Sequence, residues 1–272
     1  MSIDVNESQA DLISQFVLSV TIPILHEIEH SAAVVATGTL FKIAERSFII
    51  TVRHLFDQVS DLTLLAYPEN PRKGRLHNFG HIKVYTPDDA KIDVAVIELH
   101  DPEAVARLEA GWQFLTLENV ASPSANPANG AVFVAGYPVA LTGESNGWTH
   151  GSFLTAYTQR LADVPADLQE PYIEGLDFFF DYGHEAQALD GRSISTPNLE
   201  GVSGGSVWEF VQSESIVWSA VHSVRVVGIQ SSFRHYDFTR AKNWWAVAQL
   251  LEQVDERLAS EVRASLNRSP SV

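Results

Sequence analysis

Short segments in which apolar and polar residues partly alternate dominate the pattern of the chain between residues 33 and 232. They are rich in β-branched residues and are separated by polar or glycine-containing breaks, which is typical of strands joined by turns. A looser stretch at 117–130, with prolines, asparagines and a glycine, is predicted to be a connector. The first run of strands comprises 33–43, 47–52, 62–67, 81–85 and 93–99, and the second comprises 131–137, 151–157, 176–182, 206–211, 216–221 and 225–232.

Apolar residues recur at helical spacing near both ends of the chain. This spacing predicts a short helix over 4–18 and an amphipathic helix over 241–266. Many short strands without intervening helices favour antiparallel barrels or sandwiches, so the predicted fold class is all-β. The predicted organisation is an N-terminal helical extension (1–30), a first β unit (31–120), a second β unit (121–238), and a C-terminal helix and tail (239–272).

Composition narrows the range of partners. The chain has 272 residues and a formal net charge of −16, which argues against nucleic acid and anionic membranes as partners. It contains no cysteine, so it has neither a disulfide nor a thiolate metal site. The N-terminus carries acids where a signal peptide carries lysine or arginine, and no apolar run is long enough to span a bilayer. We therefore expect a soluble, cytoplasmic protein.

The sequence Gly201-Val202-Ser203-Gly204-Gly205 is the first candidate for chemistry. Three glycines around one serine predict a tight turn that exposes the hydroxyl and brings backbone N–H groups together. A nucleophilic hydroxyl beside convergent N–H groups suits acyl transfer. An ordinary glycine-rich turn is the alternative.

A serine nucleophile needs a general base and a group that orients it. His54 follows the apolar strand at 47–52, where a strand end can deliver a side chain to a cleft. Asp93 opens the apolar strand 93–99, where a partly buried carboxylate needs a partner. His54, Asp93 and Ser203 occur in the chain order of chymotrypsin, which differs from the orders of subtilisin and the α/β-hydrolases.

Six motifs in order give the chain a wider resemblance to the trypsin-like (chymotrypsin-fold) serine proteases over about residues 32 to 235. They are Thr37-Gly38-Thr39-Leu40, Ile49-Ile50-Thr51-Val52-Arg53-His54, Asp93-Val94-Ala95-Val96, Gly136-Tyr137-Pro138, Gly201-Val202-Ser203-Gly204-Gly205 and Val227-Gly228-Ile229-Gln230-Ser231.

The resemblance implies two antiparallel six-stranded β-barrels with the catalytic site between them. It assigns His54 as general base, Asp93 as its orienting acid and Ser203 as nucleophile. The backbone N–H groups of Gly201 and Ser203 would form the oxyanion hole, and Ser231 would lie near Asp93 on the strand that pairs with substrate. The implied activity is serine endopeptidase cleavage of a polypeptide substrate without a cofactor or metal.

Several positions depart from the family pattern. Val202 stands where the secreted enzymes have an aspartate that receives a new N-terminal ammonium group, so activation by that route is not expected. The floor of the specificity pocket falls at Thr196, Pro197 and Asn198, without an acid. Ser232 and Phe233 form a pocket wall in which the family often has glycine. These substrate-binding positions favour a small or uncharged side chain before the cleaved bond.

Two other functional interpretations of the sequence compete with a serine protease. The sequence His26-Glu27-Ile28-Glu29-His30 matches H-E-x-x-H, which on a helix supplies two zinc ligands and a general base. Polar residues on a strand or turn are the plainer interpretation, because Pro23 lies just upstream and strand-like residues follow. The other alternative is a catalytically silent module of the same fold that binds a peptide or partner protein. An intracellular protease must be restrained, so a regulatory protein partner is also expected.

Overall fold

A computed structural model describes residues 7–28, 31–72, 74–121, 131–145, 148–187, 193–211 and 218–266. These residues form mostly β structure, in two curled antiparallel sheets with helices at both ends. The coarse architecture expected from the sequence is therefore confirmed. The predicted connector lies largely at 122–130, outside the described residues.

The first sheet contains seven strands in the order β5-β4-β1-β2-β3-β7-β6, rather than the six that the resemblance implied. β1 lies near the middle of the sheet, where Ile22 and Ile24 are fully buried, although the sequence placed it in the N-terminal extension. The strands are β1 (Thr21–Ile28), β2 (Ser31–Ile43), β3 (Arg46–Thr51), β4 (Leu65–Pro68), β5 (Leu76–Asn78), β6 (Ile82–Tyr85) and β7 (Ala95–Leu99).

The second sheet contains six strands in the order β11-β8-β15-β16-β17-β12, and two short hairpins, β9–β10 and β13–β14, flank it. A bridge between Arg160 and Phe180 brings the two edge strands, β11 and β12, together at one end. The strands of this half are β8 (Ala131–Gly136), β9 (Thr142–Ser145), β10 (Trp148–Gly151), β11 (Leu154–Gln159), β12 (Asp177–Asp181), β13 (Glu185–Gln187), β14 (Ser193–Ser195), β15 (Ser206–Phe210), β16 (Val224–Arg234) and β17 (Phe238–Asn243).

The helices differ in part from the predicted ones. The predicted N-terminal helix is confirmed as α1, but residues 241–266 form the end of β17 and two helices instead of one. Asp255 ends the first of these helices in an extended conformation and caps the second, accepting a hydrogen bond from Leu258 N at 3.0 Å. The strand predicted over 216–221 is wrong where it is described, because a short helix begins at Ala220. The helices are α1 (Glu7–Val20), α2 (His54–Gln58), α3 (Pro102–Gly111), α4 (Ala220–Ser223), α5 (Trp245–Val254) and α6 (Glu256–Leu266).

Both faces of β8, in the second sheet, are buried. On β8, Val132 and Val134 belong to the core inside the second sheet, whereas Phe133 and Ala135 face the larger core shared with the first sheet and the terminal helices. Successive residues of a strand point to opposite faces, so a strand covered on both sides is apolar without alternation. This double burial fixes the second sheet against the first and sets the two halves of the candidate site relative to each other.

Candidate active site

His54 and Asp93 lie together because they flank neighbouring strands of the first sheet. His54 begins α2 just after β3, and Asp93 lies just before β7. β3 and β7 are antiparallel, with Thr51 opposite Ala95, so the end of one strand lies beside the start of the other. Asp93 Oδ2 lies 2.7 Å from His54 Nδ1, and Asp93 Oδ1 accepts a hydrogen bond from the His54 backbone N–H at 3.0 Å.

These two contacts define what the histidine can do. A carboxylate that binds both the ring and the backbone of one residue fixes the orientation of the imidazole. With Nδ1 donating its proton to Asp93, Nε2 remains as a proton acceptor. The His54 side chain is 35% exposed, so Nε2 is available to a group in the cavity beside it.

The Ser203 loop depends on two glycines in left-handed conformation. Gly201 has φ +90° and Gly204 has φ +92°, a region that L side chains adopt at a cost. A Cβ at Gly204 would lie 2.1 Å from Thr37 O and 2.3 Å from Thr51 Oγ1, so only glycine fits between these neighbours. The loop therefore packs its backbone directly against the first sheet and leaves Ser203 partly exposed.

Two peptide groups of this loop are oriented by their carbonyls. Glu200 O accepts a hydrogen bond from Val139 N at 2.7 Å, and Val202 O accepts one from Gly205 N at 2.7 Å. In a trans peptide the N–H points away from the carbonyl, so the N–H groups of Gly201 and Ser203 are turned to the other side of the loop. Within the described part of the chain, neither N–H donates to a protein acceptor. They are therefore available to an oxyanion.

Thr37, on β2, holds this loop from the first sheet. Its backbone N–H donates to Ser203 O at 2.8 Å, and its hydroxyl donates to Gly201 O at 2.8 Å. The same hydroxyl accepts a hydrogen bond from Tyr137 N at 3.1 Å. The sequence analysis named Thr37 only as part of a motif and assigned it no role. A sequence does not show that the hydroxyl of a residue in one sheet forms hydrogen bonds to a loop of the other sheet.

A cavity of about 570 Å³ joins the predicted catalytic residues, since His54, Asp93 and Ser203 all line it. Ser231, Ser232 and Phe233, three of the predicted substrate-binding residues, line the same cavity. No hydrogen bond joins Ser203 Oγ to the His54 ring among the residues described. Such bonds are often long without substrate and shorten in the reacting complex.

The other three predicted substrate-binding residues lie elsewhere. Thr196 and Pro197 line a second cavity, of about 800 Å³, along β11. Their polar groups are already engaged, because Thr196 Oγ1 donates to Gly183 O at 2.7 Å and Tyr182 Oη donates to Pro197 O at 2.6 Å. Asn198 Oδ1 accepts a hydrogen bond from Glu200 N at 2.8 Å. These hydrogen bonds support the loop that leads to Ser203.

A buried ionic cluster, Asp177–Arg240–Lys242, lies behind the cavity and was not predicted from the sequence. Asp177 Oδ1 lies 2.7 Å from Arg240 Nε and 2.6 Å from Lys242 Nζ, and the Asp177 side chain is fully buried. Burial alone raises the pKa of the Asp177 carboxyl, but the two cations outweigh burial and hold the pKa below its usual value. Burial lowers the pKa of Lys242, and Asp177 opposes that effect.

The zinc site suggested by the H-E-x-x-H sequence is not supported by the local structure. His26 and Glu27 lie on β1, a strand, whereas a zinc site of this kind requires a helix. His30 lies outside the described residues. Across the described ranges, no group of three or more histidine, aspartate or glutamate residues is placed to hold a metal ion.

Comparisons with known proteins do not identify a family for the chain. No protein-family model and no curated protein sequence matches the chain. Among solved structures, the chain is similar to one from work on how aromatic interactions drive the coupled folding and binding of the intrinsically disordered Sesbania mosaic virus VPg protein. That alignment covers 84% of this chain and 87% of the other, with 13% sequence identity and a TM-score of 0.45, and at this level it carries no argument. Of the helices described, none is long and apolar enough to cross a membrane.

Proposed function

We propose that the chain is a serine endopeptidase of the trypsin-like type, which hydrolyses peptide bonds through Ser203, His54 and Asp93. One joint observation carries the proposal. A histidine held at two points by a carboxylate lines the same cavity as a serine flanked by two backbone N–H groups without protein acceptors. Acyl transfer needs a nucleophile, a general base and hydrogen-bond donors to the oxyanion in one place. A histidine with a purely structural role, or an ordinary glycine-rich turn, would not require the other groups beside it.

In the proposed reaction, Ser203 Oγ attacks the carbonyl carbon of the peptide bond while His54 Nε2 takes the hydroxyl proton. The carbonyl oxygen becomes an oxyanion that accepts hydrogen bonds from Gly201 N and Ser203 N. The imidazolium, stabilised by Asp93, protonates the leaving amine as the C–N bond breaks, and an acyl ester remains on Ser203. His54 then deprotonates a water molecule, which hydrolyses the ester, and the proton returns to Ser203.

An extended polypeptide fits the edge of β16 in this cleft. β15 pairs with β16 only as far as Ile229, so Ser232 and Phe233 have β17 on one side and the cavity near the other. A peptide strand can bind such an edge through its main chain. The Phe233 ring supports the proposal of a small or uncharged side chain near the cleaved bond. The two-barrel architecture of the trypsin-like family, a cytoplasmic location and a regulatory protein partner belong to the same proposal.

Labelling by a fluorophosphonate probe tests the proposal, because the probe reacts only with an activated serine. We expect the wild-type chain to be labelled and Ser203→Ala to remain unlabelled. Ser193→Ala, a change at an exposed serine on β14, is the matched control and should label like the wild type. Absence of labelling in the folded wild type, or labelling of Ser203→Ala at the wild-type rate, would overturn the proposal. Cleavage of a peptide library by the wild type and Ser203→Ala would then define the preferred residues.

A second candidate is a catalytically silent module that binds a peptide or partner protein in the same cleft. The observation that favours it is the missing hydrogen bond between Ser203 Oγ and His54 among the described residues. The labelling experiment separates the two functions. A module would bind peptides from the library without reacting with the probe, whereas an enzyme would do both.

A further inference from the structure

The edges of β11 and β12 meet at only one end of the second sheet. The bridge between Arg160 and Phe180 joins them there, and Leu161 N donates to Phe179 O at 2.8 Å. Among the described residues, no other ladder pair joins the two strands. Beyond the bridge, the cavity of about 800 Å³ lies between them, since residues of both strands line it. The β11 edge therefore faces a cavity where a closed barrel would have a neighbouring strand.

The backbone groups of Thr155 and Tyr157 point into this cavity. The residues of a strand direct their N–H and C=O groups alternately toward and away from an antiparallel partner. Leu161 N donates to β12, so Tyr157 and Thr155, an even number of positions earlier, face the same side. A Cβ at Gly205 would lie 2.1 Å from Ala135 O, so this carbonyl is directed to the β15 side of β8. Ala135 lies opposite Thr155, which therefore also faces away from β8. Across the described ranges, these N–H and C=O groups have no protein partner.

The side chains that line the cavity lie on two faces. On the inner face, Leu154 and Ala156 pack against the core inside the second sheet, to which Tyr182 belongs. The outer face carries Tyr157, which is 38% exposed, and Asp181, which is exposed and precedes the inward Tyr182. An extended polypeptide also alternates its side chains between two faces. The cavity therefore suits a strand that is apolar on its inner face and polar on its outer face.

The two cavities differ in the charges that line them. Among the described residues, Asp181 and Glu185 are the only charged residues of the second cavity. The cavity beside Ser203 contains cations as well as acids, and its cations are Arg53, Lys91, Arg240 and Lys242. Opposite charges favour the right partner, and like charges disfavour the wrong one. A basic segment is therefore favoured at the β11 edge over the proposed catalytic cleft.

We propose that the β11 edge is a docking site for an extended segment of a partner polypeptide in which apolar and basic side chains alternate. The segment pairs with β11 through the N–H and C=O groups of Thr155 and Tyr157. Its apolar side chains contact Leu154 and Ala156, and its basic side chains lie on the face that carries Asp181. The site is separate from the proposed catalytic cleft, so binding there does not require catalysis.

Fluorescence anisotropy tests the proposal with a short fluorescein-labelled peptide in which valine and lysine alternate. The Ser203→Ala protein is used, so that the peptide is not cleaved. We expect tighter binding than for a peptide of the same composition in which the valines and the lysines are grouped. Asp181→Lys should weaken binding about fivefold or more. Asp88→Lys, the same change at an exposed aspartate that lines neither cavity, is the matched control and should bind like the parent.

The backbone contacts have their own test. Thr155→Pro removes an N–H that points into the cavity and none that pairs with β8, so it should weaken binding about fivefold. Thr155→Val keeps this N–H and is the control. Hydrogen exchange followed by NMR locates the peptide, because the Thr155 and Tyr157 amides should exchange more slowly when the alternating peptide is bound.

Slower exchange at both amides, together with weaker binding by Asp181→Lys, supports the proposal. Absence of binding, equal binding of the two peptides, or equal binding by the two charge variants overturns it. Slower exchange at Ser232 and Phe233 instead would place the peptide at the β16 edge and also overturn it. If Thr155→Pro fails to fold, Asp181→Lys and the exchange measurement decide. A wild type that the fluorophosphonate does not label refutes the proposed function and leaves the docking result unchanged.

Discussion

Gly201 meets two requirements that a residue with a side chain cannot meet together. Its φ of +90° lies in the left-handed region, and a Cβ there would lie 2.7 Å from Tyr137 O and 3.0 Å from Val139 Cγ2. The peptide group that precedes it is the one that Val139 orients through Glu200 O. A side chain at this position would therefore disturb the orientation of the Gly201 N–H, one of the two groups assigned to the oxyanion hole.

Gly201→Ala is expected to reduce the rate of fluorophosphonate labelling by at least about 100-fold, because loss of one oxyanion donor has an effect of this order. The change should leave the global fold intact, which far-UV circular dichroism would check. Gly175→Ala is the matched control, since Gly175 also has a positive φ of +78° but no atom within 4 Å of its added Cβ. It should lower the free energy of unfolding by about 1–2 kcal/mol and leave labelling unchanged. Equal labelling losses in both variants would contradict the assignment.

Val202 shows how the loop is held without an ion pair. Its side chain is fully buried and packs in the core of the second sheet with Leu199. A Cβ at Gly136 would lie 2.9 Å from Val202 Cγ1, so the valine fills the space beside β8. Apolar packing therefore holds the residue that precedes Ser203.

Among the elements, the C-terminal helices are tied to the first sheet by polar contacts around Arg46. Arg46 Nε donates to Glu98 Oε1 at 2.6 Å, and its guanidinium also contacts Asp255 between α5 and α6. The Glu98 side chain is only 5% exposed and also accepts a hydrogen bond from Tyr85 Oη at 2.9 Å. Burial raises the pKa of Glu98, but Arg46 and Tyr85 outweigh burial and the pKa lies below its usual value.

Arg46→Met is expected to lower the free energy of unfolding at neutral pH by about 3 kcal/mol, because it leaves the buried Glu98 carboxylate with only Tyr85 and His100 as side-chain partners. A carboxyl whose pKa is lowered in the folded state stabilises the fold at pH values above the pKa of the unfolded carboxyl. This contribution is lost as the pH falls through the lowered, folded-state pKa. The difference between Arg46→Met and wild type should therefore narrow in acid, as Glu98 becomes protonated. Denaturant unfolding at several pH values measures it. Lys42→Met, which breaks an exposed pair, should change little, and a pH-independent deficit in Arg46→Met would contradict the explanation.

The strands that form the site could be predicted from local pattern, whereas several other elements could not. β3 and β7 are largely apolar with β-branched residues, and β15 follows a glycine-rich turn, so each strand can be recognised from its own segment. β1 was hidden by Pro23 and by its position next to α1, and only its pairing with β2 and β4 makes it a strand. α3 was not predicted, although the sequence contains a local start signal for it, since Asp101 caps the helix just before Pro102. β17 has the sequence FTRAKN, and its charged residues are buried only because they pair with Asp177.

The same limit applies to the site. His54, Asp93 and Ser203 were predicted from residue type and chain order, which can be read from the sequence alone. Thr37 binds the Ser203 loop and Lys242 pairs with Asp177, both across segments far apart in the chain, and no spacing rule predicts such contacts. The pocket floor at Thr196, Pro197 and Asn198 was predicted from its distance before Ser203 and stays a prediction, although these residues make hydrogen bonds that support the loop.

At the scale of the whole molecule, the two sheets are joined by buried polar contacts as well as by a shared core. Thr39 Oγ1 lies 2.5 Å from Ser206 Oγ, and the Thr37 hydroxyl bonds Gly201 O, both across the junction. The larger core includes Ile50 from the first sheet and Trp208 from the second. Shared burial of this kind couples the unfolding of the two halves.

Hydrogen exchange is therefore expected to give β3 and β15 amides the same free energy of opening, as one cooperative unit. Thr37→Val should lower that value in both strands by about 1–3 kcal/mol, because it leaves Gly201 O and Tyr137 N buried without a partner. Thr63→Val, at an exposed threonine whose hydroxyl bonds Asp61, is the control and should leave both strands unchanged. A response confined to one sheet would show that the halves unfold separately.

The two carbonyl contacts that orient the Ser203 loop bear on when, after synthesis, the chain becomes active. Val139 and Gly205, which hold Glu200 O and Val202 O, both belong to the folded second half of the chain. Thr37 of the first sheet binds Gly201 O and Ser203 O of the same loop, so the loop acquires its shape when the two sheets come together. Under the proposed function, completing the fold is itself the maturation step. The interval between synthesis and activity would then be set by the rate at which the two sheets fold together, so variants that slow this folding would delay activity without changing the final enzyme.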